Sequence, residues 1–367
     1  MPPSMVEDRI GHLTRFSEHQ DKGIAELNGP DESVLKQRKK LQEMARGYRQ
    51  SQILLTCVEL GVFDVLAGRS ASAVEVANAI QADPRAVELL LNAAVALGVL
   101  EKNEAQFSNQ MLTENLLTRN GDGSMRRSLL FELAGYRRWG NLAGAVRTGQ
   151  RPEENRRDEQ PEGWVKPFVQ ALYDMSRPIA PVIADVLVLP EDRSLHVLDV
   201  GGGHGGYSIA LARRYPLLTA TVFELPRVVP VAREIIAQAG LAERISVQEG
   251  DFHLEELGRG FDVALVFGVL NGEPLEGRPA LIRKVFSALK PGGQIVLRDF
   301  VLDPDRTGPP EAAIFALQML LATEAGGLDT HDDWAKWLVS AGFTPPQTID
   351  LPPWIGSTLT ISWKPMA

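Results

Sequence analysis

Cysteine is almost absent from this 367-residue sequence, in which Cys57 is the one example. A single thiol excludes an intrachain disulfide and predicts a protein of a reducing compartment, the cytoplasm. Apolar runs long enough to cross a bilayer are also absent, so we expect no membrane partner. Residues 1–28 are polar and mixed in charge, and without an apolar core they predict no signal peptide.

Positive charge is in deficit. Lys and Arg number 38 against 47 Asp and Glu, which gives a net charge of -9 and argues against nucleic acid as the main partner. Internal repeats, low-complexity segments and compact spacings of metal ligands are missing too, so we expect no bound metal. What is present is a hydrophobic content of 44%, enough for one large domain or two ordinary ones.

The segment 36–115 has the pattern of three helices followed by a hairpin. Ser72 and Glu75 stand at the spacing of a capping box, and Asp83 before a proline is typical of a helix start. Two short runs within residues 100–108 favour a hairpin. Together these signals predict a winged helix.

A winged helix raises the alternative of DNA binding. The helix that would read a groove, Pro84 to Leu97, carries Arg85 and Glu88 but is otherwise mostly apolar. A groove-reading helix needs several Arg, Lys, Asn or Gln side chains on its exposed face. The apolar helices also carry more hydrophobic surface than one small domain can bury. We therefore favour a homodimerisation domain and expect no nucleic-acid partner.

Four regions follow one another in this interpretation: a polar N-terminal extension over 1–35, the winged helix over 36–115, a helical linker over 116–190 and a sheet domain over 191–367. The charged stretch from Gly149 to Gly163 predicts an exposed loop. Apolar side chains at helical spacing are either core or the lining of a small-molecule pocket. The candidates for that pocket are Trp164, Phe168, Met175, Phe315 and Met319.

The sheet domain opens with an apolar run that breaks into glycines, Leu195 to Gly206, and continues as a helix from Tyr207. This is the strand, tight turn and helix that begin a parallel α/β sheet. Alternation continues downstream and predicts a doubly wound sheet. The predicted strands are Leu195–Val200, Thr219–Glu224, Ile245–Gly250, Asp262–Val269 and Gln294–Phe300. The alternating run Ser357 to Trp363 has no helix after it and is expected at the antiparallel end of the sheet.

The glycine pattern of Gly201, Gly203 and Gly206 matches a dinucleotide fingerprint, and Glu224 ends the second strand where a ribose-binding acid belongs. NAD, FAD and S-adenosylmethionine all place a ribose there. Asp199 distinguishes them, because an acid before the glycines would repel a pyrophosphate but suits a cationic amino group. After the third strand, Asp251 and Phe252 supply an acid for an adenine amino group and a ring to cover the base.

These residues, with the runs LDVGGGHG, VFELP, GDF, LKPGG and AGGLDTHDDWAKWLVSAGF, resemble the class I S-adenosylmethionine-dependent methyltransferases. The branch they resemble contains the small-molecule O-methyltransferases related to caffeate, hydroxyindole and bacterial polyketide O-methyltransferases. The resemblance covers residues 40 to 365. It implies a Rossmann-like methyltransferase sheet with an N-terminal winged-helix dimerisation domain. It implies a cofactor site made of Asp199, Gly201, Gly203, Glu224, Leu225, Asp251 and Phe252. The alternative for the two strand-end acids, Asp199 and Glu224, is that they are simply solvated.

The sequence departs from this family where the family has its catalytic histidine, in a His-Asp-Trp run after the fourth strand. Here that position is Asn271, and an amide cannot act as a base. The two acids that support the histidine in the family match Asp299 and Asp329. His331 is a candidate replacement base, and its alternative is a surface histidine at a helix start. Asp299 has the alternative of a hydrogen-bonded residue at a strand end.

Four explanations of Asn271 are open. In the first, the acceptor hydroxyl is acidic enough to ionise without a base, and in the second the nucleophile is nitrogen, carbon or sulfur. In the third, another residue acts as the base. In the fourth, methyl transfer has been lost and the pocket serves another reaction or binds a ligand. We favour an acceptor that needs no base, with Asn271 as a hydrogen-bond donor or neutral spacer. The predicted function is thus methyl transfer to a small molecule at S, N, C or an acidic O. An NAD-dependent oxidoreductase is a weaker alternative, since no convincing hydride-transfer pair is present.

Overall fold

The computed structural model describes residues 31–152 and 162–366, and the chain forms two units, Met1–Thr56 and Cys57–Ala367. In the first unit, helix α1 spans Glu32–Arg46, and its N-cap Asp31 accepts a hydrogen bond from the Ser33 N–H at 2.9 Å. Most of the predicted polar extension, residues 1–30, lies outside the described residues. Helix α2, Tyr48–Leu60, begins in the first unit and ends in the second.

The second unit opens with the helices and small sheet of the predicted winged helix. Ser72 accepts a hydrogen bond from the Glu75 N–H and Glu75 bonds back to the Ser72 N–H, which confirms the capping box. Asp83 accepts from the Ala86 N–H at 2.8 Å, as predicted. The three strands pair antiparallel in the order β1-β3-β2. The elements are α3 (Val62–Val65), β1 (Ala71–Ser72), α4 (Ala73–Ile80), α5 (Pro84–Ala96), β2 (Leu100–Asn103) and β3 (Gln106–Asn109).

Helices connect the winged helix to the large sheet. They are α6 (Met111–Leu117), α7 (Arg126–Trp139), α8 (Leu142–Thr148), α9 (Val165–Ser176) and α10 (Ala180–Val186), with a 3₁₀ turn at Glu162–Trp164. Arg127 on α7 forms a two-pronged ion pair with buried Asp174 on α9, and further along Phe131 packs on Phe168 with ring centroids 5.5 Å apart. These two contacts make α7 and α9 antiparallel neighbours. Most of the predicted Gly149–Gly163 loop lies outside the described residues.

The large sheet has seven strands in the order β6-β5-β4-β7-β8-β10-β9. The first five run parallel and β10 runs antiparallel to both of its neighbours, which confirms the doubly wound sheet and the antiparallel end. The strands are β4 (Leu195–Val200), β5 (Leu218–Glu224), β6 (Ile245–Glu249), β7 (Phe261–Phe267), β8 (Leu289–Asp299), β9 (Gln347–Ile349) and β10 (Thr358–Trp363). The helices are α11 (Gly206–Arg214), α12 (Val229–Gln238), α13 (Gly277–Ala288), α14 (Pro310–Ala322) and α15 (His331–Ser340).

Two differences from the predicted strands have simple causes. Strand β8 begins five residues earlier than predicted, because Leu289 already pairs with Phe261 before a register shift. Strand β9 was not predicted at all: three residues without an apolar alternation give no periodic signal, and it forms only by pairing with β10.

The core lies on both faces of this sheet. One face buries Val197, Val222 and Leu265 against α10, α11 and α12, and the other buries Leu198 and Ala264 against α13 and α15. Burial on both faces explains why the central strands are nearly continuous apolar runs rather than alternating ones. Within the described residues, no helix is long and apolar enough to span a bilayer.

Candidate active site

The glycine turn between β4 and α11 has a backbone that other residues rarely adopt. Gly201, Gly203 and Gly205 all have positive φ, at +60°, +54° and +68°. A side chain at Gly201 would also touch Val269, with an added Cβ 3.0 Å from a Val269 methyl carbon. At Gly203 an added Cβ would meet only the Gly201 carbonyl oxygen, at 3.9 Å. The main chain at Gly203 is therefore open to close approach by a ligand.

The two acids beside this turn are buried. Asp199 is 1% exposed and Glu224 9% exposed, so the interpretation of solvated strand-end carboxylates is wrong. Ser208 donates a hydrogen bond to Asp199 at 2.7 Å, yet burial raises the pKa of Asp199 to about 7. The site therefore holds a desolvated carboxylate that a cationic group would stabilise in its ionised form.

Glu224, at the end of β5, is hydrogen-bonded to the glycine turn. One of its oxygens accepts from the Gly203 N–H at 2.9 Å and the other from the Leu225 N–H at 2.8 Å. Burial raises the pKa of Glu224, and these hydrogen bonds act in the opposite direction. The acid and the glycine turn are thus one hydrogen-bonded unit.

Asp251 and Phe252 follow β6, the strand that pairs with β5 so that Glu249 lies beside Glu224. The Asp251 carboxylate accepts from the His253 N–H at 2.8 Å, and the partly buried Phe252 packs against the core. The residue before them must be glycine, because a Cβ at Gly250 would lie 2.4 Å from the Phe223 ring. The ends of β4, β5 and β6 therefore bring all the predicted cofactor residues to one edge of the sheet.

Asn271 lies in a 3₁₀ turn after β7, Leu270–Gly272, and faces Asp299 at the end of β8. Its Nδ2 donates to Asp299 Oδ1 at 3.0 Å, and the Phe300 N–H donates to the same oxygen at 2.8 Å. Burial raises the pKa of Asp299 to about 6. The structure thus brings these two sequence-predicted residues together as an amide–carboxyl pair.

Asp329 is held by a different set of partners. Arg278 on α13 forms a buried ion pair with it, and the Trp334 Nε1–H donates to its second oxygen at 3.3 Å. Arg278 also donates to the Gly327 and Glu273 carbonyl oxygens, at 3.2 and 3.0 Å. Sequence reasoning missed Arg278, because its acidic partner Asp329 is distant in the chain and an arginine near a helix start gives no signal.

His331 does not pair with Asp329. It is the first residue of α15 and packs edge-on against Trp334 with ring centroids 5.9 Å apart. Its Nδ1 is buried and has no hydrogen-bond partner in the structure. Burial lowers the pKa of His331, and the nearby acids Asp332 and Asp350 act in the opposite direction. The structure therefore forms no carboxylate–histidine unit from Asp329 and His331.

The five candidates for the acceptor pocket fall into different surroundings. Trp164 stacks on Phe168 with ring centroids 4.5 Å apart, and Phe315 packs against Phe300, the residue after Asp299, at 4.7 Å. Met319 on α14 is buried, whereas Met175 on α9 is 43% exposed.

Among the described residues no group of three or more His, Cys, Asp or Glu side chains is arranged to hold a metal ion.

Known proteins resemble the chain in both parts. A family model described as an O-methyltransferase domain matches residues 161–344, and one described as an O-methyltransferase dimerisation domain matches residues 42–119. The 3-hydroxy-5-methyl-1-naphthoate 3-O-methyltransferase of Streptomyces sahachiroi is 30% identical over 321 residues, which cover 84% of this chain and 90% of the relative.

Two further proteins are similar to this chain over most of its length. The L-tyrosine C(3)-methyltransferase of Streptomyces lavendulae is 28% identical over 331 residues, which cover 85% of this chain and 89% of that one. Human N-acetylserotonin methyltransferase, in a crystal structure with S-adenosylmethionine, has a TM-score of 0.79 at 28% identity and covers 92% of this chain and 99% of its own. With its seven-stranded sheet, its glycine turn and a matched dimerisation domain, the chain belongs to the family of S-adenosylmethionine-dependent O-methyltransferases.

Proposed function

We propose that this enzyme methylates a small aromatic acceptor by aligning it with S-adenosylmethionine, without a histidine general base. The observation that carries the proposal is the hydrogen-bonded Asn271–Asp299 pair. The sequence resemblance implies that Asn271 stands at the position of the family's histidine. The cofactor supplies an activated methyl group on a sulfonium. The chain's own task is then to bind, orient and exclude water.

The residues at the edge of the sheet fit the cofactor. In this proposal Glu224 binds the ribose hydroxyls, and Asp251 with Phe252 holds the adenine. The open main chain at Gly203 and the desolvated carboxylate of Asp199 support a cationic amino acid moiety there, since such a group offsets the cost of the buried charge. Gly201 and Leu225 complete the proposed cofactor site.

In this proposal Asn271 positions the reacting groups through hydrogen bonds and does not remove a proton from the acceptor. One of its N–H groups is committed to Asp299, and its backbone carbonyl accepts from the Gly327 N–H at 2.9 Å. An acceptor that reacts as a phenolate needs no proton removed at the moment of attack. A phenolate reacts at oxygen or at a ring carbon, and the two bacterial relatives are named for an aromatic oxygen and for a tyrosine carbon.

Methyl transfer from labelled S-adenosylmethionine to a panel of naphthols and hydroxynaphthoates tests the proposal. We expect His331→Ala to keep a rate within about threefold of wild type, and the rates of both to rise with pH in parallel with ionisation of the acceptor hydroxyl. Loss of a general base costs about 10²–10⁴-fold. A loss of that size in His331→Ala, with the affinity for S-adenosylhomocysteine unchanged, would show that a base is used.

We also propose that the chain acts as a homodimer. It carries the matched dimerisation domain, and in its first unit helix α1 is exposed along its whole length. Several large apolar side chains on this unit are exposed. They are Val34, Leu35, Leu41, Met44 and Tyr48.

A further inference from the structure

One arginine in the helical linker is buried in part and forms no ion pair with a described acid. Arg138 lies in the last turn of α7, and its Nε and Nη2 atoms are buried without a hydrogen-bond acceptor in the structure. No described carboxylate forms an ion pair with it. A buried donor on a charged group that stays unpaired costs stability, so proteins rarely keep one without a use.

The neighbouring Arg137 already supplies the positive charge that favours the C-terminal end of a helix, so Arg138 is not needed for that purpose. Arg137 points to solvent and pairs with Glu59 at 3.1 Å, so it already supplies a cation at the end of α7. Arg138 turns inward instead and lies over the Phe131 ring, with its guanidinium carbon 5.3 Å from the ring centroid. Burial lowers the pKa of Arg138, and Glu132 acts in the opposite direction from about two turns earlier.

Arg138 stands at the end of an aromatic wall formed by Phe131, Phe168 and Trp164. Phe131 packs on Phe168 and Phe168 stacks on Trp164, with centroid distances of 5.5 and 4.5 Å. The guanidinium therefore adds a positive charge beside these three rings. Such a combination suits a flat aromatic molecule that carries an acidic group.

Gly135 lies on the same face of α7 as Arg138 and is buried. A Cβ added there would be in ordinary contact with a Glu132 carboxylate oxygen, at 3.7 Å, and with an Arg138 guanidinium nitrogen, at 4.0 Å. Glu132 thus lies near Arg138 without forming an ion pair with it.

The helices that carry the wall contact elements of the cofactor turn and of the reaction site. Phe168 and Ser176 lie about 12 Å apart along α9 at the rise of an α-helix, and a Cβ at Gly206 of the glycine turn would lie 2.9 Å from the Ser176 hydroxyl. On the other side Trp139 donates to Gln318 on α14 at 2.6 Å, and α14 carries Phe315, which packs on Phe300.

We propose that Arg138 binds an acidic group of the methyl acceptor, so that the acceptor is an aromatic carboxylate whose ring lies on the wall of Phe131, Phe168 and Trp164. The inference rests on the proposed function and deepens it by naming the class of substrate. It assigns Arg138 to specificity: the residue binds the acceptor's carboxylate at a distance from the atom that receives the methyl group.

The proposal is tested with two matched probes, 3-hydroxy-2-naphthoate and 3-hydroxy-2-naphthamide. The first carries a negatively charged carboxylate where the second carries an uncharged amide. Calorimetry is run on the full chain saturated with S-adenosylhomocysteine. We expect wild type to bind the acid about tenfold to a hundredfold more tightly than the amide, as charge-assisted hydrogen bonds allow. Arg138→Gln should bind both equally, Arg138→Lys should keep part of the preference, and the control Arg137→Gln should keep all of it.

Stability separates this role from a structural one. A partner-free buried guanidinium costs stability, so Arg138→Met should have a Tm equal to or above that of wild type without ligand, and addition of the naphthoate should raise the wild-type Tm only. Equal binding of acid and amide by wild type overturns the proposal, and so does an unchanged preference in Arg138→Gln. Failure of wild type to bind S-adenosylhomocysteine would instead overturn the proposed function.

Discussion

Glu224 contributes to the site at the scale of a single residue, because its carboxylate accepts a hydrogen bond from the Gly203 N–H. Substitution by Gln removes the charge and keeps the shape. We expect Glu224→Gln to weaken S-adenosylhomocysteine binding by about 1.5–3 kcal/mol for each charge-assisted hydrogen bond lost. Calorimetry measures this directly.

The matched control is Glu249, which lies beside Glu224 in the neighbouring strand but is exposed. Glu249→Gln should bind the cofactor product as wild type does. Equal affinities for wild type and Glu224→Gln would remove Glu224 from the cofactor site.

Asp199 makes cofactor binding depend on pH. Burial raises its pKa to about 7, so below that pH the carboxyl is mostly protonated. A cationic amino group binds the ionised form, so binding releases a proton and affinity should rise with pH up to about 7 and then level off. The expected slope below pH 7 approaches tenfold per pH unit.

S-adenosylhomocysteine titrations from pH 5.5 to 8.5 measure this slope. Asp199→Asn should bind weakly with a flat profile over the same range, since the amide does not titrate. A wild-type profile without a slope below pH 7 would contradict a contact between Asp199 and a cation.

At the scale of elements, the loop after α14 positions Asn271. A Cβ at Gly326 would lie 2.4 Å from the Asn271 carbonyl oxygen and 2.3 Å from the Thr323 hydroxyl, so an alanine must move the turn that carries Asn271. We expect Gly326→Ala to lower kcat by about 10²-fold, because misplacement of about 1 Å costs that much. Cofactor affinity should stay near wild type.

The adjacent glycine offers the control. A Cβ at Gly327 would meet only an Arg278 nitrogen, at the ordinary contact distance of 3.6 Å. Gly327→Ala should therefore keep a rate within a few-fold of wild type. Equal rates for the two alanine variants would show that the loop does not position Asn271.

The buried pair of Arg278 and Asp329 joins α13 to the segment before α15. Asp329→Asn leaves the guanidinium without its counter-charge, and we expect the free energy of unfolding to fall by about 3–5 kcal/mol. Chemical denaturation measures the change. A loss below about 1 kcal/mol would show that the pair contributes little to the fold.

Local elements were predictable from the sequence and long-range pairings were not. The glycine turn after β4 and the caps at Ser72 and Asp83 are set by neighbours within a few residues, and the structure confirms these caps. The partner of Asp329 could not be read from the chain, because Arg278 is 51 residues away. Proximity in sequence favoured His331, but the helix start turns its ring toward Trp334.

At the scale of the whole molecule, the exposed apolar side chains of the first unit predict the state of assembly. Leu41 and Met44 on α1 are 65% and 70% exposed. A helix that leaves such residues in water gains stability when a second copy covers them. We therefore expect light scattering at micromolar concentration to give about twice the chain mass of 40.2 kDa.

The double variant Leu41→Glu with Met44→Glu places two charges on this helix, and a charge in an apolar interface stays unpaired when buried. We expect this variant to give the mass of one chain. Val188→Glu is the matched control, since Val188 is 89% exposed in the loop between α10 and β4 and lies outside the dimerisation domain. Its mass should equal that of wild type. A monomeric wild type would contradict the homodimer, and a dimeric double variant would exclude this face of α1 as the contact.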